Sequence, residues 1–171
     1  MWREVGRPVG PLTLWGDRWG QSLETTFFGR YEHTLDVKGR VVLPSRFRPP
    51  FQTEGGYLTP YLEGCLALWT REEFERQSDL RRQEAATGRA ARNALRVWSS
   101  GCHFVEVDGQ GRVAIPQRLR DFAALEGDIL VTGAIDRVEI WNAESWNELM
   151  LPEEERLRTG ELPAAAAPSE S

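Results

Sequence analysis

The segment Asp36-Val37-Lys38-Gly39-Arg40-Val41-Val42-Leu43-Pro44 returns 72 positions later as Asp108-Gly109-Gln110-Gly111-Arg112-Val113-Ala114-Ile115-Pro116, so the chain contains one module twice. The same gapless offset places Gly29 on Gly101, Arg46 on Arg118, Arg48 on Arg120, Gly55 on Gly127, Leu58 on Leu130, Trp69 on Trp141 and Glu72 on Glu144. Self-similarity held over roughly 45 residues constrains the fold more than any local pattern does. A unit that small buries too little apolar surface to stand alone, so the two copies are expected to share a core or to pair with other subunits.

Each copy reads as alternating strands around a tight turn. Tyr31, His33 and Leu35 alternate with Arg30, Glu32 and Thr34, the period of a half-buried strand. Asp36 to Gly39 then forms a hairpin connection, since Asp caps local amides and Gly accepts positive φ. A strand over Arg40 to Leu43 follows, and Pro44 occupies a first helical position, where no amide donor is needed. Ser45 to Arg48 supplies a short helical turn that Pro49-Pro50 is expected to end. In the second copy, Pro116 to Glu126 has room for a fuller helix capped by Gly127. Strand pairs are expected at Tyr57–Tyr61 with Cys65–Trp69, and at Ile129–Thr132 with Val138–Trp141. Thr70 to Glu73 has the form of a capping box, and Asn142 caps the equivalent helix.

These readings divide the chain into an irregular extension (1–26), a first module (27–76), a helical connector (77–100), a second module (101–147) and a largely disordered tail (148–171). Leu80, Ala91, Leu95 and Trp98 form the apolar stripe expected of the connector, with a break near Gly88. There is no run of about 18 apolar residues to span a bilayer. The extension lacks an apolar core and cleavage site of the secretory kind, which makes the cytosol the expected compartment. Cys65 and Cys102 belong to no Cys-x-x-Cys pattern, so neither a disulfide framework nor a zinc ribbon is expected.

Phe28-Gly29-Arg30-Tyr31-Glu32-His33-Thr34-Leu35-Asp36-Val37-Lys38-Gly39-Arg40-Val41-Val42-Leu43-Pro44 closely resembles the opening of MraZ proteins, and so does the second copy. That family belongs to the SpoVT/AbrB-like group of swapped-hairpin DNA-binding domains. Its Asp-x-x-x-Arg motif stands here as Asp36 with Arg40 and as Asp108 with Arg112. The resemblance covers about residues 27 to 150; the 26 residues before Phe27 and the low-complexity tail depart from the family pattern. It implies an α+β fold of two tandem swapped-hairpin modules related by a pseudo-twofold axis. It also implies a cytoplasmic, nucleoid-associated transcriptional regulator that forms a homo-oligomeric ring. Such a regulator acts on G-rich direct repeats in double-stranded DNA upstream of its own gene, at the head of a division and cell-wall gene cluster.

Residue chemistry is compatible with that implication. Lys38 and Arg40 place two cations at a hairpin turn, and Gly39 removes a side chain that would hold the backbone away from DNA. An arginine can bridge guanine O6 and N7, whereas Lys38, Arg46 and Arg48 suit phosphates. The DNA-binding candidates are Lys38, Arg40, Arg30, Arg46, Arg48 and Arg112; Asp36, Gly39, Pro44, Asp108, Gly111 and Pro116 form the structural motif. The copies are unequal, because Lys38 becomes Gln110 and Arg30 becomes Cys102, so the first copy is expected to make more contacts. The formal net charge of −5 lowers the expectation of nucleic-acid binding unless the positive charge is gathered on one face.

The alternatives are plain. Asp36 with Arg40 can be a salt bridge that fixes the turn, His33 a packed histidine, and Trp69 and Trp141 core anchors. Cys102 and His103, adjacent on a strand, point to opposite faces and do not suit joint metal ligation. A ring-forming interaction scaffold with an acidic partner is the competing function. An enzyme, a cofactor, a metal, a membrane contact and a small-molecule substrate are not expected, since no nucleophile–base pair, ligand set or phosphate loop appears at usable spacing.

Overall fold

The computed structural model describes residues 26–161; the extension up to residue 25 and the end of the tail from residue 162 lie outside the described residues. The strands are β1 (Arg30–Thr34), β2 (Arg40–Val42), β3 (Gly56–Pro60), β4 (Leu66–Trp69), β5 (His103–Val105), β6 (Arg112–Ala114), β7 (Asp128–Gly133) and β8 (Val138–Asn142). The helices are α1 (Pro49–Gln52), α2 (Arg71–Ala85), α3 (Arg89–Ser100), α4 (Gln117–Phe122) and α5 (Ala143–Thr159), with a 3₁₀ turn over Ser45–Phe47. The fold is α+β, with antiparallel sheets.

Six strands form one sheet in the order β1-β7-β8-β4-β3-β5. Each copy lends its first strand to the other: β1 pairs with β7, and β5 pairs with β3. The remaining strands, β2 and β6, pair with each other in a separate ladder, and Val113 of β6 also bridges to Val107. Both ladders are centred on the same relation between copies, Val41 facing Val113 in one and Ala67 facing Glu139 in the other. A pseudo-twofold axis therefore passes through both pairs. The size argument is met within the chain, because neither copy can complete its sheet without the other.

Hydrogen bonding overturns one part of the gapless superposition. Tyr31 faces Val131, and the corresponding His103 faces Leu58. Residue 31 to residue 103 is a step of 72, but residue 58 to residue 131 is a step of 73, so Leu58 corresponds to Val131 and not to Leu130. Gly55 and Gly127 both adopt positive φ, at 65° and 66°, and the second copy then has one extra residue, Asp128, which opens β7. A shorter β7–β8 turn restores the offset at β8. A slip of one residue would have exchanged the faces of the strand, and burial agrees with the corrected register. Leu58 and Val131 both enter the main core, whereas Leu130 lies on the opposite face. Volume is conserved across the change: Phe51 with Gly56 in one copy corresponds to Ala123 with Ile129 in the other, and a Cβ on Gly56 would come within 2.9 Å of the Phe51 ring.

The main core lies between the inward sheet face and the β2–β6 ladder with its short helices; Val41, Leu43, Phe47, Val113, Ile115 and Leu119 pack on Ile129, Val131, Ile140 and Leu66. Helices cover the other face. Phe74 of α2 stacks on Tyr57 at 4.0 Å between ring centroids and on Trp98 of α3 at 5.4 Å, while Trp146 of α5 meets Trp141 edge-on. Trp69 and Trp141 are buried, as expected of core anchors. The connector breaks at Gly88, and Ala91, Leu95 and Trp98 form a half-buried stripe, whereas Leu80 is exposed.

Several local expectations are corrected. Pro49-Pro50 opens α1 instead of ending a turn, which their missing amides permit at the first helical positions. Pro44 and Pro116 stand one residue earlier than expected, as extended caps with ψ of 139° and 144°. Helix α4 stops at Phe122 because Ala124 turns left-handed at φ 47°, and Gly127 leads into β7 instead of capping the helix. Thr70 accepts from the Glu73 amide, but the Glu73 carboxylate takes Arg76 and Gln77, so only half of the capping box forms. Helix α5 is continuous from Ala143 to Thr159, so the tail begins as helix. Asn142 caps it through the Ser145 amide, and the pairs Glu153–Arg156 and Glu155–Arg158 support its last turns. Among the described residues, no helix is long and apolar enough to cross a membrane.

Candidate nucleic-acid interface

The two Asp-x-x-x-Arg turns are built alike. Asp36 Oδ1 accepts from the Lys38 and Arg40 amides at 2.9 Å each, and Oδ2 accepts from Arg40 Nε at 2.7 Å. Asp108 repeats the arrangement with the Gln110 and Arg112 amides and with Arg112 Nε at 2.7 Å. The hydrogen bond from the Arg40 guanidinium, joined by the Arg40 and Lys38 amides, holds the Asp36 carboxyl at about 2. The Asp108 carboxyl is also lowered, first by the Arg112 amide. The salt-bridge reading of Asp36 and Asp108 therefore describes the geometry, and both carboxylates are ionised at neutral pH.

Gly39 and Gly111 are buried, at φ 72° and 78°. The space beside Gly39 is not open to a ligand, as the sequence suggested; a Cβ there would stand 2.5 Å from the Arg120 guanidinium carbon. Arg48 fills the same place over Gly111. Each turn is thus closed by an arginine from the other copy. The crossing follows from the antiparallel β2–β6 pair, which sets the start of one strand beside the end of its partner; Leu43 donates to the Gly111 carbonyl and Ile115 to the Gly39 carbonyl. Arg48 Nε also donates to the Leu43 carbonyl at 2.8 Å. Arg120 Nε is buried without a partner, and its Nη2 donates to Gln117.

The two turns and the ladder between them bring together Lys38, Arg40, Arg48, Arg112 and Arg120, and Arg46 and Arg118 lie in the helical segments that follow the ladder strands. Strand parity turns Arg40, Val42, Arg112 and Ala114 to the outside of the ladder, while Val41 and Val113 point inward. Lys38 and Arg46 are exposed, and neither forms an ion pair among the described residues. Arg118 reaches only the Ser100 carbonyl, at 3.4 Å. Arg40 and Arg112 are partly buried, with side-chain exposures of 26% and 25%, and their guanidiniums are oriented by the turn aspartates.

Arg30 opens β1, pairs with Glu154 of α5 at 2.9 Å, and lines one cavity with Thr34 and Val42. His33 is half-buried with Nε2 enclosed and unpartnered, and burial, together with the Arg48 charge, lowers its pKa. Burial raises the Cys65 thiol and pushes Cys102 up to about 11. Among the described residues, no group of three or more His, Cys, Asp or Glu side chains could hold a metal ion. Arg120 was legible in sequence as the counterpart of Arg48 and as a cation suited to phosphates or subunit contacts; its placement across the copies depends on strand pairing that residue spacing does not reveal.

Fold and site together define a tandem-repeat α+β protein in which two copies exchange strands and present paired Asp-x-x-x-Arg turns on one face. The family described as "MraZ protein, putative antitoxin-like" matches residues 26–97 and 99–161. The chain belongs to the MraZ family. It is similar to the transcriptional regulator MraZ of Micrococcus luteus, at 41% identity over 128 residues, covering 75% of this chain and 89% of that protein. It is also similar to the transcriptional regulator MraZ of Acetivibrio thermocellus, at 40% identity over 120 residues, covering 70% and 83%.

Proposed function

We propose that the protein is a sequence-specific transcriptional regulator, without enzymatic activity, that binds double-stranded DNA through the face around its pseudo-twofold axis. The observation that carries this reading is the meeting of Lys38, Arg40, Arg48, Arg112 and Arg120 at the paired turns and the ladder between them, on a chain of formal net charge −5. Such segregation creates a local positive field that the global charge does not cancel. Lys38 and Arg46 hold phosphates. Arg40 and Arg112, pre-oriented by Asp36 and Asp108, present guanidinium edges to the groove, where arginine reads guanine. Arg48 and Arg120 shape the turns from the opposite copy, and Arg30 acts through α5. The first copy contributes more, because the position of Lys38 is Gln110 in the second.

The exchanged strands support a swapped-hairpin, SpoVT/AbrB-like assignment of the two modules. One such face covers little DNA, so a ring of subunits set against G-rich direct repeats upstream of the protein's own gene supplies avidity. Control of the division and cell-wall cluster, in the cytoplasm and on the nucleoid, completes the reading. The test is the salt dependence of binding to the duplex upstream of its own coding sequence. Neutralised phosphates make log affinity fall linearly with log salt, and removing one phosphate contact reduces the slope by about 1. Lys38→Ala and Arg46→Ala should each do so with circular dichroism unchanged; unchanged slopes would remove these residues from the interface. A scrambled duplex competing as well as the upstream duplex would favour a scaffold that binds acidic partners without sequence preference.

A further inference from the structure

Val37 is fully exposed at the tip of the first turn. Of the other exposed large apolar side chains, Val42 lies on the ladder opposite Arg112 and is only 37% exposed, and none belongs to either Asp-x-x-x-Arg turn. Val37 instead sits between Asp36 and Lys38, where its isopropyl group adds nothing to the core. The backbone that carries it is fixed: the Lys38 and Arg40 amides donate to Asp36 Oδ1, Gly39 N–H donates to the Asp36 carbonyl, and Asp36 N–H donates to the Arg40 carbonyl. A β-branched side chain has few rotamers, so the tip presents a nearly rigid apolar knob beside an exposed lysine. The second turn has the same backbone bonds but carries Gly109 and Gln110 at these positions. Turn formation therefore does not require the valine.

We propose that Val37 is a specificity-determining residue that packs on the C5-methyl group of a thymine in the major groove, next to the phosphate held by Lys38. The proposal rests on the DNA-binding reading above. The major groove offers one apolar group among its hydrogen-bonding edges, the thymine methyl, and small apolar side chains recognise it. Val37 has no polar atom with which to read any other edge. Because Gly109 has no side chain, the recognition is made once per chain, and the pseudo-symmetric face acquires a direction on the duplex.

Binding of the full-length protein and of Val37→Ala is measured on the duplex upstream of its own coding sequence, prepared with thymine or with uracil throughout. The wild type should bind the uracil duplex about fourfold more weakly per engaged hairpin, the ratio corresponding to one buried methyl group. Val37→Ala should weaken binding to the thymine duplex by a similar factor and should no longer distinguish the two duplexes. Equal discrimination by both proteins would overturn the proposal, because the methyl would then act elsewhere. An alanine variant that binds the thymine duplex as tightly as wild type would overturn it too. Both results leave the DNA-binding reading standing, whereas wild type binding the upstream and scrambled duplexes alike would remove both.

Discussion

Replacing Gly111 with alanine should destabilise the protein more than replacing Gly39, although the two glycines are counterparts in the repeat. Both have left-handed backbones, at φ 78° and 72°, and a Cβ in that region costs about 1–2 kcal/mol. The second contribution differs. A Cβ on Gly111 would stand 2.3 Å from Arg48 Nε, the atom that donates to the Leu43 carbonyl at 2.8 Å. Moving Arg48 aside removes that charged hydrogen bond, a loss of about 1.5 kcal/mol at the low end of the range for such bonds. A Cβ on Gly39 displaces Arg120, whose buried Nε has no partner to lose and whose Nη2 donates only to the exposed Gln117 side chain, which can follow it. Gly111→Ala should therefore cost about 3 kcal/mol and Gly39→Ala about 1.5 kcal/mol. At roughly 2–4 °C per kcal/mol for a chain of this size, thermal unfolding should place Gly111→Ala about 3–6 °C below Gly39→Ala. In an Arg48→Ala background the extra cost of Gly111→Ala should vanish. Equal melting temperatures, or a larger loss at Gly39, would refute the crossed closure of the turns.

Other consequences follow from the same asymmetries. Thr59 accepts from Trp69 Nε1 at 2.9 Å, while its counterpart Thr132 is buried with an unpartnered hydroxyl because Trp141 donates to Glu139 instead. Thr59→Val should thus cost about 1–3 kcal/mol and Thr132→Val should be neutral or stabilising, as urea unfolding can show; equal losses would contradict the assignment. In an NMR titration, the Asp36 carboxyl should have its midpoint near 2 and Asp108 below the ordinary carboxylate value. Since both folded pKa values are depressed, the turns keep their full stabilisation above the unfolded carboxyl pKa near 4 and lose it as pH falls toward 2. Ordinary midpoints would mean that the arginines are not bound. The exposed Arg30–Glu154 pair should contribute under about 1 kcal/mol, so Arg30→Ala should leave the melting temperature nearly unchanged; a large drop would show that the pair anchors α5.

The repeat made the two-module α+β plan legible, because the Asp, Gly, Arg and Pro positions keep one spacing in both copies. It could not show the exchange of β1 and β5, since alternation on a strand says which face is buried but not which strand lies alongside. The register of β3 against β7 was misread for a related reason. Gly55 and Gly127 do correspond, yet Asp128, the extra first residue of β7, shifts the rest of that strand by one residue, and the shorter turn hides the shift before Trp141. At the site, the Asp36–Arg40 and Asp108–Arg112 pairs were visible because both partners lie in one short segment. Arg48 and Arg120 were recognisable as cations, but not as closures of the opposite turns, because those contacts depend on the pseudo-twofold axis.

The central claim, that the face around this axis recognises DNA sequence, is tested most directly by titrating the full-length protein with the duplex upstream of its own coding sequence and with a scrambled duplex of the same composition, at one fixed salt concentration. Binding to the upstream duplex should be tighter by about 10³-fold or more, the lower range for specific over non-specific binding. Equal affinity for the two duplexes would contradict the claim.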